Sequence, residues 1–177
     1  FDNPQPILGF PVPSMFDFKH DKMDTESEAY FADGTFDLSD TTRLSLGLRR
    51  TTDEFTSKQD NFISILVPTP VIAAQTCDRE VVTEYSSTTS RAVIQHDLST
   101  DSNVYASFSE GFKAGGYATY ECTEPYDPEE VTSFEFGFKG SLSENTSLNA
   151  SLFRYDYTDF QVLQVVGIQT VTRNAGD

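Results

Sequence analysis

The sequence predicts an all-β chain of antiparallel, up-and-down strands. A stretch of transmembrane β-barrel wall is the leading architecture, and a soluble β-sandwich is the alternative. Three observations carry this. Apolar and polar residues alternate at period two, while helical periodicity is nearly absent. A Leu-Ser-polar element recurs at three chain reversals. Long connections separate those reversals, and loops of such length are uncommon in compact domains and usually carry function.

In chain order, Ala29 to Phe36 is a weak strand with Tyr30, Ala32 and Phe36 on its apolar side. Leu38-Ser39-Asp40 then turns the chain, because short polar side chains bond the nearby backbone. Thr42 to Arg49 alternates most cleanly, with Leu44, Leu46 and Leu48 against Arg43, Ser45, Gly47 and Arg49. Thr51 to Ser90, with Pro68 and Pro70, reads as the first long connection. Arg91 to Leu98 is again a weak strand, carrying Ala92, Ile94 and Leu98. Leu98-Ser99-Thr100 turns into Asn103 to Phe108, where Val104, Ala106 and Phe108 share a face. Gly111 to Glu130, with Pro125 and Pro128, is the second connection. Thr132 to Lys139 sets Phe134, Phe136 and Phe138 against Ser133, Glu135, Gly137 and Lys139. Leu142-Ser143-Glu144 turns into Ser147 to Leu152, and Tyr157 to Asn174 is the third connection.

A sandwich would hide its apolar faces inside and keep its loops short at both ends. A membrane barrel turns the apolar face to lipid and the polar face to its lumen, with short turns at one end and long loops at the other. On that reading Leu44, Leu46, Leu48, Phe134, Phe136 and Phe138 face lipid, and Ser45, Gly47, Ser133 and Glu135 face the lumen. The aromatics are expected near strand ends, as an interfacial girdle.

Composition narrows the function. The 177 residues suffice for one domain, and 12 Lys plus Arg against 28 Asp plus Glu give a net charge of −16. Phosphate binding needs a basic surface, so nucleic acid is not an expected partner. Aromatics at 13% argue against acidic disorder. No apolar run approaches the length of a membrane helix. The opening Phe1-Asp2-Asn3-Pro4 is not a signal peptide. His20 and His96 are isolated, and Cys77 and Cys122 lack metal-ligand spacing, so no metal site or cofactor is expected. No phosphate loop or nucleophile elbow appears. The chain is not expected to be an enzyme.

Several segments then go further. Tyr105-Ala106-Ser107-Phe108-Ser109-Glu110-Gly111-Phe112-Lys113-Ala114-Gly115-Gly116 resembles the "YASxSxGFKAGG" segment of TonB-dependent outer-membrane receptors. Pro128-Glu129 through Glu135-Phe136-Gly137-Phe138-Lys139 resembles their "PExxxxxExGxK" strand. Leu152-Phe153-Arg154-Tyr155-Asp156-Tyr157-Thr158-Asp159-Phe160-Gln161 is similar to "LFxxDYxDxQ". Asn174-Ala175-Gly176 resembles the "NAG" that opens the next strand, and Leu38 to Arg49 resembles the "LTDxLxLxxGLR" hairpin. The order and spacing of these pieces carry the resemblance across roughly residues 27–177.

The resemblance implies an outer-membrane protein of a Gram-negative bacterium, in which a plug sits inside a 22-stranded barrel. It implies active uptake of a scarce ligand such as a ferric siderophore, driven through TonB and the plug. A passive porin and a secreted β-sandwich binding module are the competing readings. Residues 1–26 are expected to be an extracellular loop or irregular lead-in. Residues 27–177 are expected to give about six strands and the start of a seventh, as an internal piece of a longer polypeptide. Outer-membrane lipid and lipopolysaccharide, TonB by way of the parent's plug, and an iron chelate or other small molecule are the implied partners. Arg49, Arg91, Tyr105, Ser109 and Lys113 are candidates for a lumenal ligand path. The acidic connections, with Asp53, Glu54, Asp60, Asp78, Glu80 and Glu84 in the first, read as solvated surface. Cys77 and Cys122 fall in the first two connections, at one end of the wall. Outside the cell, where disulfides persist, they are expected to pair.

Overall fold

The computed structural model describes the backbone over residues 14–66, 70–117, 125–166 and 169–175, and side chains over 22–60, 78–117, 125–165 and 171–175. It holds eight strands: β1 (Ser14–Ser39), β2 (Thr42–Leu66), β3 (Pro70–Ser99), β4 (Ser102–Lys113), β5 (Glu129–Ser143), β6 (Thr146–Thr158), β7 (Gln161–Val166) and β8 (Gln169–Asn174). The first six form one open antiparallel sheet in chain order, and β7 and β8 pair as a separate hairpin.

The three expected turns are Asp40-Thr41, Thr100-Asp101 and Glu144-Asn145, all at one end of the sheet. Each Leu of the repeated element has a ladder role. Pairing shifts register between Asp37 and Ser39, between Asp97 and Ser99, and between Ser141 and Ser143. Leu38, Leu98 and Leu142 are therefore bulge residues, and all three are exposed.

The register carries the repeat further. Thr42, Ser102 and Thr146 open the outgoing strands. Two, four and six residues on come Leu44, Leu46 and Leu48; Val104, Ala106 and Phe108; and Leu148, Ala150 and Leu152. Eight residues on, each run ends in a charge: Arg50, Glu110 and Arg154. Antiparallel partners share a face, and rungs such as Leu46↔Ala92, Ala92↔Phe108, Phe108↔Phe134 and Ala106↔Phe136, Phe136↔Leu152 join these residues into one apolar band. Eight steps of a strand measure about 27 Å, which a tilt of about 35–45° shortens to roughly 19–22 Å, a little under the ~25 Å apolar belt of a membrane barrel. Tyr117 and Val171 are the only buried hydrophobic residues among those described. The molecule is a wall rather than a core.

Four expectations are corrected. The segment from Thr51 to Ser90 is not a loop: β2 and β3 stay paired from Thr42↔His96 out to Leu66↔Pro70. Beyond Arg50 polar residues occupy both faces, so the apolar signal ends while the ladder continues. Cys77 accordingly lies on β3, opposite Asn61, and not in a loop. The lead-in is extended from Ser14, since β1 runs unbroken across residue 26. The third connection contains the β7–β8 hairpin, with Asn174 as the last residue of β8. The aromatics are not confined to strand ends. Phe134 and Phe136 sit inside the band, while Phe153 and Tyr155 fall on the polar face opposite Glu135 and Ser133.

Candidate functional site: the polar face and its outer end

Across the other face run three polar rungs. One reads Asp33, Gly47, Arg91, Ser109, Ser133 and Tyr155. The next is Thr35, Ser45, Val93, Ser107, Glu135 and Phe153. The third is Asp37, Arg43, Gln95, Tyr105, Gly137 and Ser151. The parity of each strand puts Arg49, Arg91, Tyr105, Ser109 and Lys113 all on this face.

Their surroundings differ. Arg91 reaches over Gly47 to Asp33, with Nη1 3.9 Å from Oδ2. Glycine leaves room for this contact, because a Cβ at position 47 would lie 2.7 Å from that oxygen and the Asp33 carboxylate would have to swing aside. Arg49 donates from Nε to the hydroxyl of buried Thr51 at 3.0 Å. Tyr105 donates its hydroxyl to Glu135. Its ring lies across Gly137, where a Cβ would collide with it, and Lys139 Nζ stands 5.1 Å from the ring centroid. Ser109 shares the rung of Arg91. Lys113 is exposed at the end of β4 opposite Glu129. Arg91, Gln95, Asn103, Tyr105, Ser109 and Lys139 help line a concavity of about 630 Å³. It offers cationic, hydroxyl and amide donors over a shallow open floor.

At the outer end the base of the β4–β5 connection folds over the inner side of β3. Gly116 and Tyr126 exchange backbone hydrogen bonds of 3.1 and 2.8 Å. The Tyr117 and Thr83 hydroxyls are 2.9 Å apart, and Tyr85 donates to the Tyr126 carbonyl at 3.1 Å. Burial raises the Tyr85 phenol above its ordinary pKa, with help from Tyr117 and Asp127. A Cβ on Gly115 would come within 2.6 Å of the Tyr85 ring. The paired glycines of the motif thus admit two tyrosines.

On the opposite side of this base lie two carboxamides that sequence reasoning left without a role. Asn174 accepts from the Asp127 N–H at 2.8 Å and donates to the carbonyls of Asp127 at 2.9 Å and Asp159 at 2.7 Å. Gln161 donates from Nε2 to the carbonyls of Ala114 and Asp127, both at 3.0 Å, while its N–H meets the Glu129 carboxylate at 2.9 Å. The signal was their place at the ends of two motif segments.

Of the acidic residues expected in the first loop, Glu54, Asp60, Asp78, Glu80 and Glu84 ride the outward face of the extension, with Glu54 directly opposite both Glu26 and Glu84, while Asp53 falls on the inner face opposite Tyr85. Among the described residues no group of three or more His, Cys, Asp or Glu could hold a metal. Cys122 and the side chain of Cys77 lie outside the described residues, and with them the expected pairing.

The family model described as "TonB dependent receptor-like, beta-barrel" matches residues 1–177. A "Ferric-pyoverdine 358 receptor" of Pseudomonas putida is 31% identical over 126 residues, which is 71% of this chain and 14% of that receptor. Among solved structures, the ferric yersiniabactin uptake receptor FyuA from Yersinia pestis superposes with a TM-score of 0.70 at 19% identity. The match covers 90% of this chain and 23% of FyuA. The ferric-catecholate import receptor Fiu from K12 E. coli gives 0.57 at 17% identity, covering 85% and 24%. These two share the fold, and the chain spans about a seventh to a quarter of the proteins it matches.

Proposed function

We propose that this chain, which belongs to the TonB-dependent receptor β-barrel family over residues 1–177, forms wall and outer loops of a receptor that takes up a ferric siderophore. It is an outer-membrane segment of a Gram-negative bacterium, and its relatives are receptors rather than enzymes. Membership of a barrel family removes the secreted-sandwich alternative.

The observation that carries the siderophore reading is the 31% identity to a receptor named for ferric pyoverdine. The geometry is compatible with it. The apolar band would face lipid, and the charges beyond Arg50, Glu110 and Arg154 would meet lipopolysaccharide. The polar rungs would face the lumen, where the parent's plug sits and TonB acts on it. Arg49, Arg91, Tyr105, Ser109 and Lys113 would line the path of the chelate. The extension of β1–β3 would stand outside the cell as the first surface a ligand meets.

The test uses the full-length parent receptor in cells, supplied with radioactive iron as ferric pyoverdine, ferric yersiniabactin or a ferric catecholate. Saturable uptake of one of these that stops on dissipating the inner-membrane proton gradient is the expected result. Uptake that is non-saturable and indifferent to the gradient would replace the reading with a passive porin.

A further inference from the structure

We infer that Gln161 and Asn174 are positioning residues that clasp the β7–β8 hairpin to the base of the β4–β5 connection, and that this base couples the hairpin to the outer reach of β3. No ladder of the main sheet joins the two partners at this level. β3 stops pairing with β4 at Arg91↔Ser109 and continues outward with β2 alone. The β7–β8 hairpin pairs only with itself. Orientation at the outer end therefore falls to side chains.

The two carboxamides suit this because each binds backbone groups from different segments at once. The Asp127 carbonyl accepts from both Gln161 and Asn174. Asp159 presents its carbonyl to Asn174 from a left-handed backbone (φ 52°). Left-handed backbone in a non-glycine residue costs energy and persists where its surroundings hold it. Ala175 adds an N–H to the Phe160 carbonyl at 2.7 Å. On the far side, Tyr126 takes the Tyr85 hydroxyl and the Gly116 N–H. Tyr126 and Asp127 are adjacent, so one peptide step joins the tyrosine grip on β3 to the amide grip on β7–β8. A carboxylate at 161 or 174 would keep acceptors and lose the donors that three carbonyls need.

Amide hydrogen exchange on the full-length receptor in lipid nanodiscs tests the coupling. No ligand enters the measurement, so its outcome is independent of the uptake reading. Asn174→Ala is expected to speed exchange about tenfold in peptides covering 125–129 and 159–175. The acceleration should extend to 79–86 on β3. Asn174→Asp, which keeps only the bond from the Asp127 N–H, should fall between. Tyr85→Phe should act in reverse, loosening residues 161–163. Acceleration confined to 159–175 would overturn the inference. Should the variants fail to insert, the wild-type protein still decides. Where reclosing is slow, Asp127, Gln161 and Ala175 should open as one correlated population, and independent opening refutes the clasp.

Discussion

Substituting arginine at two adjacent positions of β2 tests the two-faced wall. Leu46 is the middle of the three apolar positions between Thr42 and Arg50, so about 14 Å of strand separates it from either rim. An arginine side chain cannot cover that distance by snorkelling. Its cross-strand neighbours are Gly34 and Ala92, which offer the guanidinium no partner. The cost should be that of a charge at the bilayer midplane, about 2–4 kcal/mol, or roughly a 30- to 900-fold loss in the folding equilibrium constant. Ser45 points the other way. Its hydroxyl lies 2.9 Å from that of Thr35, and losing one neutral hydrogen bond costs about 1 kcal/mol. An arginine there finds Asp33 and Asp37 as diagonal neighbours on β1, which offsets part of that loss. Reversible urea unfolding of the full-length receptor in thin lipid vesicles, followed by heat-modifiable gel migration, measures both. Leu46→Arg should unfold at clearly lower urea than Ser45→Arg. Equal losses, or the reverse order, would refute the assignment of faces.

Other expectations follow from single contacts. Gly47→Val should push Asp33 off Arg91 and lower urea resistance, while Asp33→Ala combined with Gly47→Val should recover part of the loss. The hydroxyl removed in Tyr85→Phe should be one that ionises late. Its folded pKa is raised, so the stability it contributes is full below about pH 10 and is lost as pH rises through the folded value; difference absorbance at alkaline pH should show the missing tyrosine titrating above the ordinary range. Glu54→Gln should relieve repulsion from Glu26 and Glu84 and slow proteolysis of the extension, with the benefit shrinking in high salt. Peptide mapping without reductant should recover Cys77 linked to Cys122, and two free thiols would refute that pairing.

The turns, the parity of the six sheet strands within the apolar band and the band itself were legible because a membrane imposes one demand on many residues. Leu44, Leu46 and Leu48 announce their face by their own chemistry. Past Arg50 that demand ends. Glu54, Thr56 and Lys58 meet water on one side of the ladder and Ser57 and Gln59 are polar on the other, so a strand that continues reads as a loop. The outer clasp was hidden for a different reason. Asn174 bonds residues 47 and 15 positions away, Gln161 bonds Ala114 47 positions away, and Tyr85 bonds Tyr126 41 away. Nothing in a window of ten residues marks an amide that will meet two distant carbonyls. Resemblance quoted Gln161 and Asn174 as motif letters, and Gly115 and Gly116 beside them, without saying what they do. The contacts supply the reason: the glycines admit Tyr85 and Tyr126, Tyr85 holds the Tyr126 carbonyl, and Asp127 passes that placement to the two amides. What recurs here is a set of backbone carbonyls needing neutral donors, which constrains residue type at each point while leaving hydrophobic pattern and charge uninformative.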